Sequence, residues 1–295
     1  MSDFRLKVFQ SIAKNLSFTK ASQELFVSQP AITKHIQELE ATYQTRLFDR
    51  QGSKISLTES GRLLLEHCER ILEDYKRLEY EMHLLHNEYI GELKLGASTT
   101  IAQYVLPPLL GSFIGKFPQV NLSLLNGNSR EIEAALQEHR IDLGLVEGVF
   151  RLPNLKYTTF LEDELVAVVH SKSRLQLPEE ITPQDLPAIP LVLRERGSGT
   201  LDVIERSLQK HGVKLSSLHV LMYLGSTESI KLFLENSDCM GIVSIRSICK
   251  ELAAGTFRVV EIKDMPMLRD FCFVQLQGQE GGLSQAFMNY MFMSR

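Results

Sequence analysis

One stretch of the chain decides the fold of its amino-terminal region: Ser28-Gln29-Pro30-Ala31-Ile32-Thr33-Lys34-His35-Ile36-Gln37-Glu38-Leu39. Ser28 is a suitable helix N-cap, and Pro30 falls in the first helical turn, where a missing N–H costs least. The apolar residues recur at helical spacing and form one stripe, which consists of Ala31, Ile32, Ile36 and Leu39. The polar side chains fall outside that stripe: Gln29, Thr33, Lys34, His35 and Gln37. The stretch therefore predicts an amphipathic helix that presents hydrogen-bonding groups to solvent.

The residues before this helix predict two shorter helices. Apolar positions of a first helix lie between residues 4 and 13, Asn15-Leu16-Ser17 interrupts it, and Thr19 is placed to cap a second helix that ends at Leu25. Two helices joined by the short turn Phe26-Val27 describe a helix-turn-helix, in which Gln pairs with adenine and Lys reaches guanine or phosphate. A generic helical subdomain with a solvated polar face fits the same spacing, so the pattern alone leaves both interpretations open.

A bend with two cations follows the helix-turn-helix, at Arg50-Gln51-Gly52-Ser53-Lys54. Such a bend suits a wing that lies on the DNA phosphates. The predicted DNA-binding residues are Ser28, Gln29, Pro30, Thr33, Lys34, His35, Gln37, Arg50, Ser53 and Lys54.

Residues 59–89 carry the clearest periodicity in the chain. Apolar residues alternate spacings of four and three, at Leu64, Cys68, Ile71, Tyr75, Leu78, Met82, Leu85 and Tyr89. This spacing predicts a coiled-coil seam on a dimerising linker helix. The alternative is a helix that packs on its own domain.

Strand and helix patterns alternate after this segment, which predicts an α/β region with parallel sheets built from βαβ units. The predicted strands are 92–97, 120–126, 142–147, 164–170, 191–193, 220–224, 241–244 and 271–275, and the predicted helices are 101–116, 129–138, 201–211, 226–236 and 283–293. The predicted organisation is an all-α winged helix-turn-helix over 1–58, the linker helix over 59–89 and a two-subdomain α/β region over 90–295. Subdomain I takes about 90–165 and 270–295, and subdomain II about 166–269.

The amino-terminal residues closely resemble those of the LysR-type transcriptional regulators. The resemblance is dense across residues 4–64 and rests on Phe9, Ala13, Ser17-Phe18-Thr19, Ala21, Leu25, Ser28-Gln29-Pro30-Ala31-Ile32-Thr33, Ile36, Leu39-Glu40, Leu47-Phe48, Arg50, Leu57-Thr58 and Gly61. Two departures concern local geometry: Ser22 replaces a small apolar residue, and Gln44 stands where Gly often ends the recognition helix. The resemblance implies a double-stranded DNA operator, an effector-binding region like a periplasmic binding protein, assembly into dimers or tetramers, and contact with RNA polymerase.

Hydroxyl-rich turns open several helices of the second half. Ser98-Thr99-Thr100, Gly127-Asn128-Ser129, residues 194–200 and residues 226–229 each follow a predicted strand. Hydroxyls and free helix amides make an anion site, although ordinary helix capping explains the same residues. By resemblance, the effector cleft lies between the two subdomains, and its residues here are Ser98, Thr99, Thr100, Gly127, Asn128, Glu147, Ser198, Gly199, Thr200 and Thr227. The stretch 96–104 with 145–148 looks like the branch of sulphur-assimilation and carbon-fixation regulators, and we expect a small oxyanion or carboxylate effector.

Composition and charge narrow the function class. The chain has 295 residues and a formal net charge of −4. Residues 1–58 hold eight basic and five acidic residues, whereas the remainder holds 24 basic and 31 acidic ones, so the basic excess lies in the predicted reading head. No nucleophile–base pair, paired catalytic acids or metal-ligand spacing is evident, so we expect neither an enzyme nor a cofactor or metal. The start lacks a signal peptide and no run is apolar enough for a membrane, which predicts a cytoplasmic protein. A solute-binding protein or small-molecule sensor without a DNA-directed function is the alternative.

Overall fold

The computed structural model describes residues 4–51, 54–84, 89–148, 151–278 and 281–294. It divides into two units, Met1–Glu88 and Tyr89–Arg295, which are described separately below.

The first unit is a helix-turn-helix followed by a β-hairpin and a long helix. Its elements are α1 (Phe4–Asn15), α2 (Phe18–Glu24), α3 (Gln29–Tyr43), β1 (Phe48–Gln51), β2 (Lys54–Leu57) and α4 (Glu59–Leu84). The hydroxyl of Ser28 caps α3 by accepting from the Ala31 N–H, as the sequence predicts. The expectation that Thr19 caps α2 is wrong, because Ser17 is the N-cap and accepts from the Lys20 N–H. The antiparallel hairpin β1–β2 makes the wing, so this unit is not purely helical.

The linker helix α4 divides the predicted seam between two environments. Cys68 is buried in the core of the first unit, and its thiol donates to the carbonyl oxygen of Leu6 at 3.3 Å. Ile71, Leu78 and Met82 are 40%, 52% and 53% exposed. The prediction of one continuous partner-facing seam is therefore wrong at Cys68, because the first turns of α4 complete the winged domain's own core. It is also wrong at Tyr89, which packs against Phe117 in the core of the second unit. Leu85 lies outside the described residues.

The second unit is an α/β domain. Its strands are β3 (Gly91–Ser98), β4 (Val120–Gly127), β5 (Leu143–Glu147), β6 (Leu155–His170), β7 (Glu180–Ile181), β8 (Leu191–Arg194), β9 (Val220–Leu224), β10 (Met240–Ser244), β11 (Phe257–Ile262) and β12 (Met267–Leu276). Its α-helices are α5 (Thr99–Tyr104), α6 (Leu106–Lys116), α7 (Ser129–Gln137), α8 (Gly199–Lys210), α9 (Thr227–Glu235), α10 (Cys249–Ala253) and α11 (Gly282–Met293). Short 3-10 helices occupy Pro183–Ala188, Leu215–Ser217 and Ile245–Ser247.

The strands hydrogen-bond in the order β4-β3-β5-β12-β6-β10-β8-β9, and β11 pairs with β6 and β7. The βαβ pairs β3–β4, β3–β5, β8–β9 and β8–β10 are parallel, as predicted. In contrast, β6 and β12 run antiparallel to each other, and each also pairs antiparallel with its other neighbours in this order. The predicted strands do not include β7, β11 or the first half of β6.

The single helix predicted over 101–116 is two helices that meet at Val105. Pro107 and Pro108 lack the N–H groups that would continue the hydrogen bonding of α5, so α6 begins afresh with proline in its first turn.

Long strands connect two hydrophobic cores. In one core, Phe160 of β6 and Phe271 of β12 pack with α5, α6 and α11. In the other core, Leu165 of β6 and Met267 of β12 pack with α8. Each strand thus passes from subdomain I into subdomain II, and the carboxyl ends of the parallel strands face the junction.

Candidate DNA interface and effector cleft

Helix α3 presents most of the predicted base-reading side chains to solvent. Gln29, Pro30, Lys34 and Gln37 are exposed. Thr33 is half-buried and donates its hydroxyl proton to the Gln29 carbonyl oxygen at 3.0 Å, so its methyl group and acceptor lone pairs remain for contact with DNA.

His35, a predicted DNA-binding residue, makes packing contacts within the first unit. Its ring packs edge-on against Phe4, with centroids 5.4 Å apart, and its Nδ1 lies 3.7 Å from the Glu38 carboxylate. The imidazole therefore joins α1 to α3 and is less available to a base than its helix neighbours.

The wing brings the two predicted cations onto one hairpin. Arg50 pairs with Ile55, and Gln51 pairs with Lys54, across the antiparallel ladder. Ser53 lies outside the described residues.

Polar side-chain contacts hold the elements of the helix-turn-helix together. The carboxylate of Glu24 accepts from Ser11 and Asn15, both at 2.7 Å, which ties α2 to α1. The Glu40 carboxylate accepts from the Leu47 N–H at 2.8 Å and so joins α3 to the residue before the wing.

The predicted effector residues lie where parallel strands end, at the junction of the subdomains. The strands β3, β4 and β5 end at Ser98, Gly127 and Glu147, and β8 and β9 end just before Ser198 and Thr227. Ligands of open α/β sheets bind at this edge. The four hydroxyl-rich turns predicted from sequence lie at these strand ends, and their convergence on one effector site stays a prediction.

Arg194 joins turns of the two subdomains. Its Nη2 donates to the Thr99 hydroxyl oxygen at 3.4 Å and to the Gly225 carbonyl at 3.2 Å. Its Nε and Nη2 also bind both oxygens of Glu195, at 2.8 and 3.0 Å. Thr99 in turn donates to the Gly127 carbonyl at 3.2 Å. Arg194 is 1% exposed, and its Nη1 has no hydrogen-bond partner among the described residues.

Glu147 is buried at the end of β5, at the junction of the subdomains. The Ser98 hydroxyl donates to one of its oxygens, and Arg269 Nη1 lies 3.6 Å from the other. Burial raises the pKa of the Glu147 carboxyl, and the guanidinium groups of Arg269 and Arg194 oppose that rise. The neutral carboxyl is therefore favoured more strongly here than in water.

A second buried carboxylate holds Arg269 in place. Asp163 accepts from Arg269 Nε at 2.8 Å and from the Ser244 hydroxyl at 2.7 Å. Arg269 Nη1 reaches the Thr200 hydroxyl at 2.9 Å. The sequence does not single out Arg269 or Asp163, because Asp163 lies in the run Glu162-Asp163-Glu164 and Arg269 precedes Asp270, so no local pattern distinguishes them from the charged residues beside them.

Several predicted effector residues serve local structure. Asn128 forms a capping box with Glu131 at the start of α7, and Ser198 caps α8 through the Leu201 N–H at 3.1 Å. These two fit the capping alternative that the sequence leaves open. Thr227 is buried in the first turn of α9. A β-carbon on Gly199 would collide with the carbonyl oxygen of Glu147, so Gly199 permits close contact between the subdomains.

Thr100 is fully buried at the start of α5, and its hydroxyl forms no hydrogen bond of ordinary geometry with the described residues. The described residues also contain no cluster of three or more His, Cys, Asp or Glu side chains arranged to hold a metal ion.

Comparison with known families accounts for both units. Residues 4–62 match the bacterial regulatory helix-turn-helix of the lysR family, and residues 86–292 match the LysR substrate binding domain. The chain belongs to the LysR family. It is a DNA-binding transcriptional regulator with a carboxyl-terminal effector-binding domain.

Relatives of this LysR-family chain include regulators of the predicted branch. A probable RuBisCO transcriptional regulator of Cyanidioschyzon merolae is 33% identical over 90% of this chain and 88% of its own length. The HTH-type transcriptional regulator CysL of Bacillus subtilis is 29% identical over 91% of this chain and 89% of its own. The regulatory domain of CcmR from Synechocystis PCC6803, solved in complex with 2-PG, is 28% identical, with a TM-score of 0.62 over 69% of this chain and 97% of that domain. Among the described residues, no helix is both long and apolar enough to cross a membrane.

Proposed function

We propose that this regulator reads its operator with α3 and the wing, and that a small anion bound in the cleft between its subdomains controls the response. The observation that carries the effector assignment is the guanidinium of Arg194. It is buried beside the Thr99 hydroxyl and the Gly225 carbonyl, and Glu195 pairs with its Nε and Nη2, but its Nη1 lacks a protein partner among the described residues. A buried, unsatisfied cationic donor is costly, and an oxyanion placed against it removes that cost.

Other groups around Arg194 support an anion. Helices α8 and α9 begin at this junction, at Gly199 and Thr227, and helix N-termini favour negative charge. The raised pKa of Glu147 reduces the repulsion that an ionised carboxylate would exert. The similar CcmR domain was solved with a small anion, 2-PG. A bound anion favours one arrangement of the subdomains, which shifts a pre-existing equilibrium and resets the spacing of the DNA-reading heads.

Calorimetry on the full chain tests the effector assignment. The probes are 2-PG, inorganic phosphate, sulfate and acetate. We expect at least one anion to bind, Arg194→Gln to abolish its binding, and Thr100→Val to weaken it. Ser123→Ala on the exposed face of β4 is the control and leaves affinity unchanged. If none of the anions gives heat, or if folded Arg194→Gln binds as the parent does, the assignment is wrong.

The DNA interface follows from the exposed face of α3. We assign base contacts to Gln29, Thr33, Lys34 and Gln37, and phosphate contacts to residues 50, 53 and 54 of the wing. A helix-turn-helix reads bases with the amino-terminal part of its second helix, and the wing adds contacts without sequence information.

Gel-shift titration of a random-sequence DNA pool, followed by sequencing of the bound fraction, separates the two kinds of contact. Gln29→Ala alters the selected sequence, whereas Arg50→Ala weakens all duplexes about equally and lowers the salt dependence of binding. An unchanged sequence preference in Gln29→Ala would overturn its assignment.

Self-association is assigned to the carboxyl-terminal part of α4. Ile71, Leu78 and Met82 recur on one side of the helix and are each at least 40% exposed, which is typical of a helix that pairs with a second copy. Sedimentation measurements should show dissociation of the dimer in Leu78→Glu and no change in Leu63→Glu, which alters an exposed leucine outside the predicted seam. We place the protein in the cytoplasm with the DNA it binds, and assign it no catalytic step.

A further inference from the structure

Tyr104 and Glu228 form a hydrogen bond that crosses the cleft. Tyr104 is the last residue of α5, whose Ile101 packs in the core of subdomain I. Glu228 is the second residue of α9, whose Ile230 packs in a core of subdomain II. The Tyr104 hydroxyl donates to the Glu228 carboxylate. One side-chain contact thus joins two helices that belong to different cores.

A buried lysine holds Glu228 in position. The Lys231 side chain is 9% exposed, and its ammonium donates to Glu228 at 2.8 Å, to the Ser247 carbonyl at 3.0 Å and to Glu251 at 2.6 Å. These three partners match its three protons. The same Nζ lies 5.5 Å from the ring centroid of Tyr104, so it also attracts the face of that ring.

The hydrogen bond requires a protonated Tyr104 phenol and an ionised Glu228 carboxylate, and the surroundings favour both states. Burial and the hydrogen bond to Glu228 both raise the pKa of Tyr104, so the phenol keeps its proton. Partial burial alone would raise the pKa of Glu228, but hydrogen bonds from Lys231 and Tyr104 lower it, so the carboxylate stays ionised.

The subdomains also touch elsewhere along the cleft. The Arg130 N–H donates to the Gly197 carbonyl at 3.4 Å, and Gly199 approaches the Glu147 carbonyl without room for a β-carbon, so the backbones meet there. The buried Arg194 side chain reaches the Thr99 hydroxyl at the start of α5, at 3.4 Å. The end of α5 is instead joined to α9 through the long side chains of Tyr104 and Glu228, which can separate by rotamer changes.

We propose that the Tyr104–Glu228 bond is a latch that holds α5 against α9 and keeps the cleft closed. Tyr104 is then a positioning residue, because it fixes the carboxyl-terminal end of the short helix that begins at Thr99 and Thr100. Any effect of closure on transcription rests on the proposed effector site, whereas the Tyr104–Glu228 bond itself forms without a ligand. Thr99, Thr100, Arg194 and Thr227 are each at most 5% exposed, so a ligand reaches them only when the subdomains separate, which the latch opposes.

Hydrogen exchange on the ligand-free full chain tests the latch. In Tyr104→Phe, which keeps the ring, peptides that cover 99–104 and 227–235 should exchange about three- to tenfold faster, as expected for loss of one charge-assisted hydrogen bond. Exchange in α7 should not change. Glu228→Gln should produce the same pattern, and the double variant should add little to either single change, because both remove one interaction.

The chain offers a matched control in Tyr157. Its hydroxyl donates to Glu133 at 2.6 Å, but both residues belong to subdomain I. Tyr157→Phe should therefore accelerate exchange in α7 and leave 227–235 unchanged. Unaltered exchange at 227–235 in both latch variants, or a uniform increase over the whole domain, would refute the latch. Either result is independent of whether any anion binds, so failure of the latch is distinguishable from failure of the effector assignment.

Discussion

Arg269 and Asp163 form an ion pair between the two strands that connect the subdomains. They are direct partners in the β12–β6 ladder, their side chains are fully buried, and Nη2 lies 2.7 Å from Oδ2. Without Arg269, the buried Asp163 carboxylate keeps only the Ser244 hydroxyl at 2.7 Å and the partly exposed Arg246, whose Nε lies 3.6 Å away, and a buried charge paired this poorly costs up to about 3–5 kcal/mol. We expect Arg269→Met to lower the free energy of unfolding of the second unit by about that amount, as measured by urea titration.

The matched control for this pair is the double variant Arg269→Met with Asp163→Leu. Since neither charge is then left alone, it should recover much of the lost stability. A double variant that is no more stable than Arg269→Met would show that the loss comes from packing rather than from the orphaned carboxylate.

Glu147 makes the stability of the second unit depend on pH. Burial raises its folded-state pKa above the usual value of about 4.5, so the folded state binds a proton more tightly than the unfolded state. Its contribution is fully present below about pH 4.5 and is lost as the pH rises through the folded-state pKa. As the pH rises, the parent should therefore lose unfolding free energy relative to Glu147→Gln, whose side chain does not titrate. A pH-independent difference in urea titrations would contradict this.

Gly199 sets the distance between the subdomains. Because a β-carbon there has no room against the Glu147 carbonyl, Gly199→Ala should force α8 away from β5 and lower the melting temperature of the second unit. Gly111→Ala is the control, since nothing lies within 4 Å of the added methyl and alanine favours the helix. Equal melting temperatures for the parent and Gly199→Ala would show that the backbones separate without cost.

Gln44 ends α3 in the left-handed conformation, with φ 51° and ψ 35°. Since this conformation costs a side-chain-bearing residue about 1 kcal/mol and costs glycine little, Gln44→Gly should stabilise the first unit by up to about 1 kcal/mol. Ala41→Gly, within the same helix, should destabilise it by about 1 kcal/mol. Thermal unfolding followed by circular dichroism distinguishes the two, and a loss of stability in Gln44→Gly would refute the argument.

Local chemistry explains which elements could be predicted. Ser28 and the stripe at Ile32 and Ile36 act through neighbours within two helical turns, so the recognition helix follows directly from the sequence. The break at Val105 also has a local cause, the two prolines that follow it, but the continuous apolar pattern around it predicted a single helix.

Contacts between distant residues explain what could not be predicted. Arg269 meets residues from β6, β5 and α8, and Tyr104 meets a carboxylate 124 positions away. No spacing rule links such residues. The hydroxyl-rich turns could be predicted because their hydroxyls mark helix starts, whereas Asp163 and Arg269 stand beside other charged residues on long strands and no local pattern distinguishes them.

The dual environment of α4 has a mechanical consequence. Cys68 is fully buried in the winged domain's core, whereas Ile71, less than one helical turn further on, is 40% exposed. The segment from residue 62 to 84 contains neither glycine nor proline, so no joint separates these two surfaces. In a dimer paired through Ile71, Leu78 and Met82, as proposed above, rotation of one α4 against the other would turn each DNA-binding domain by the same angle. The pairing of the two helices would then set the phasing of the two domains along the DNA.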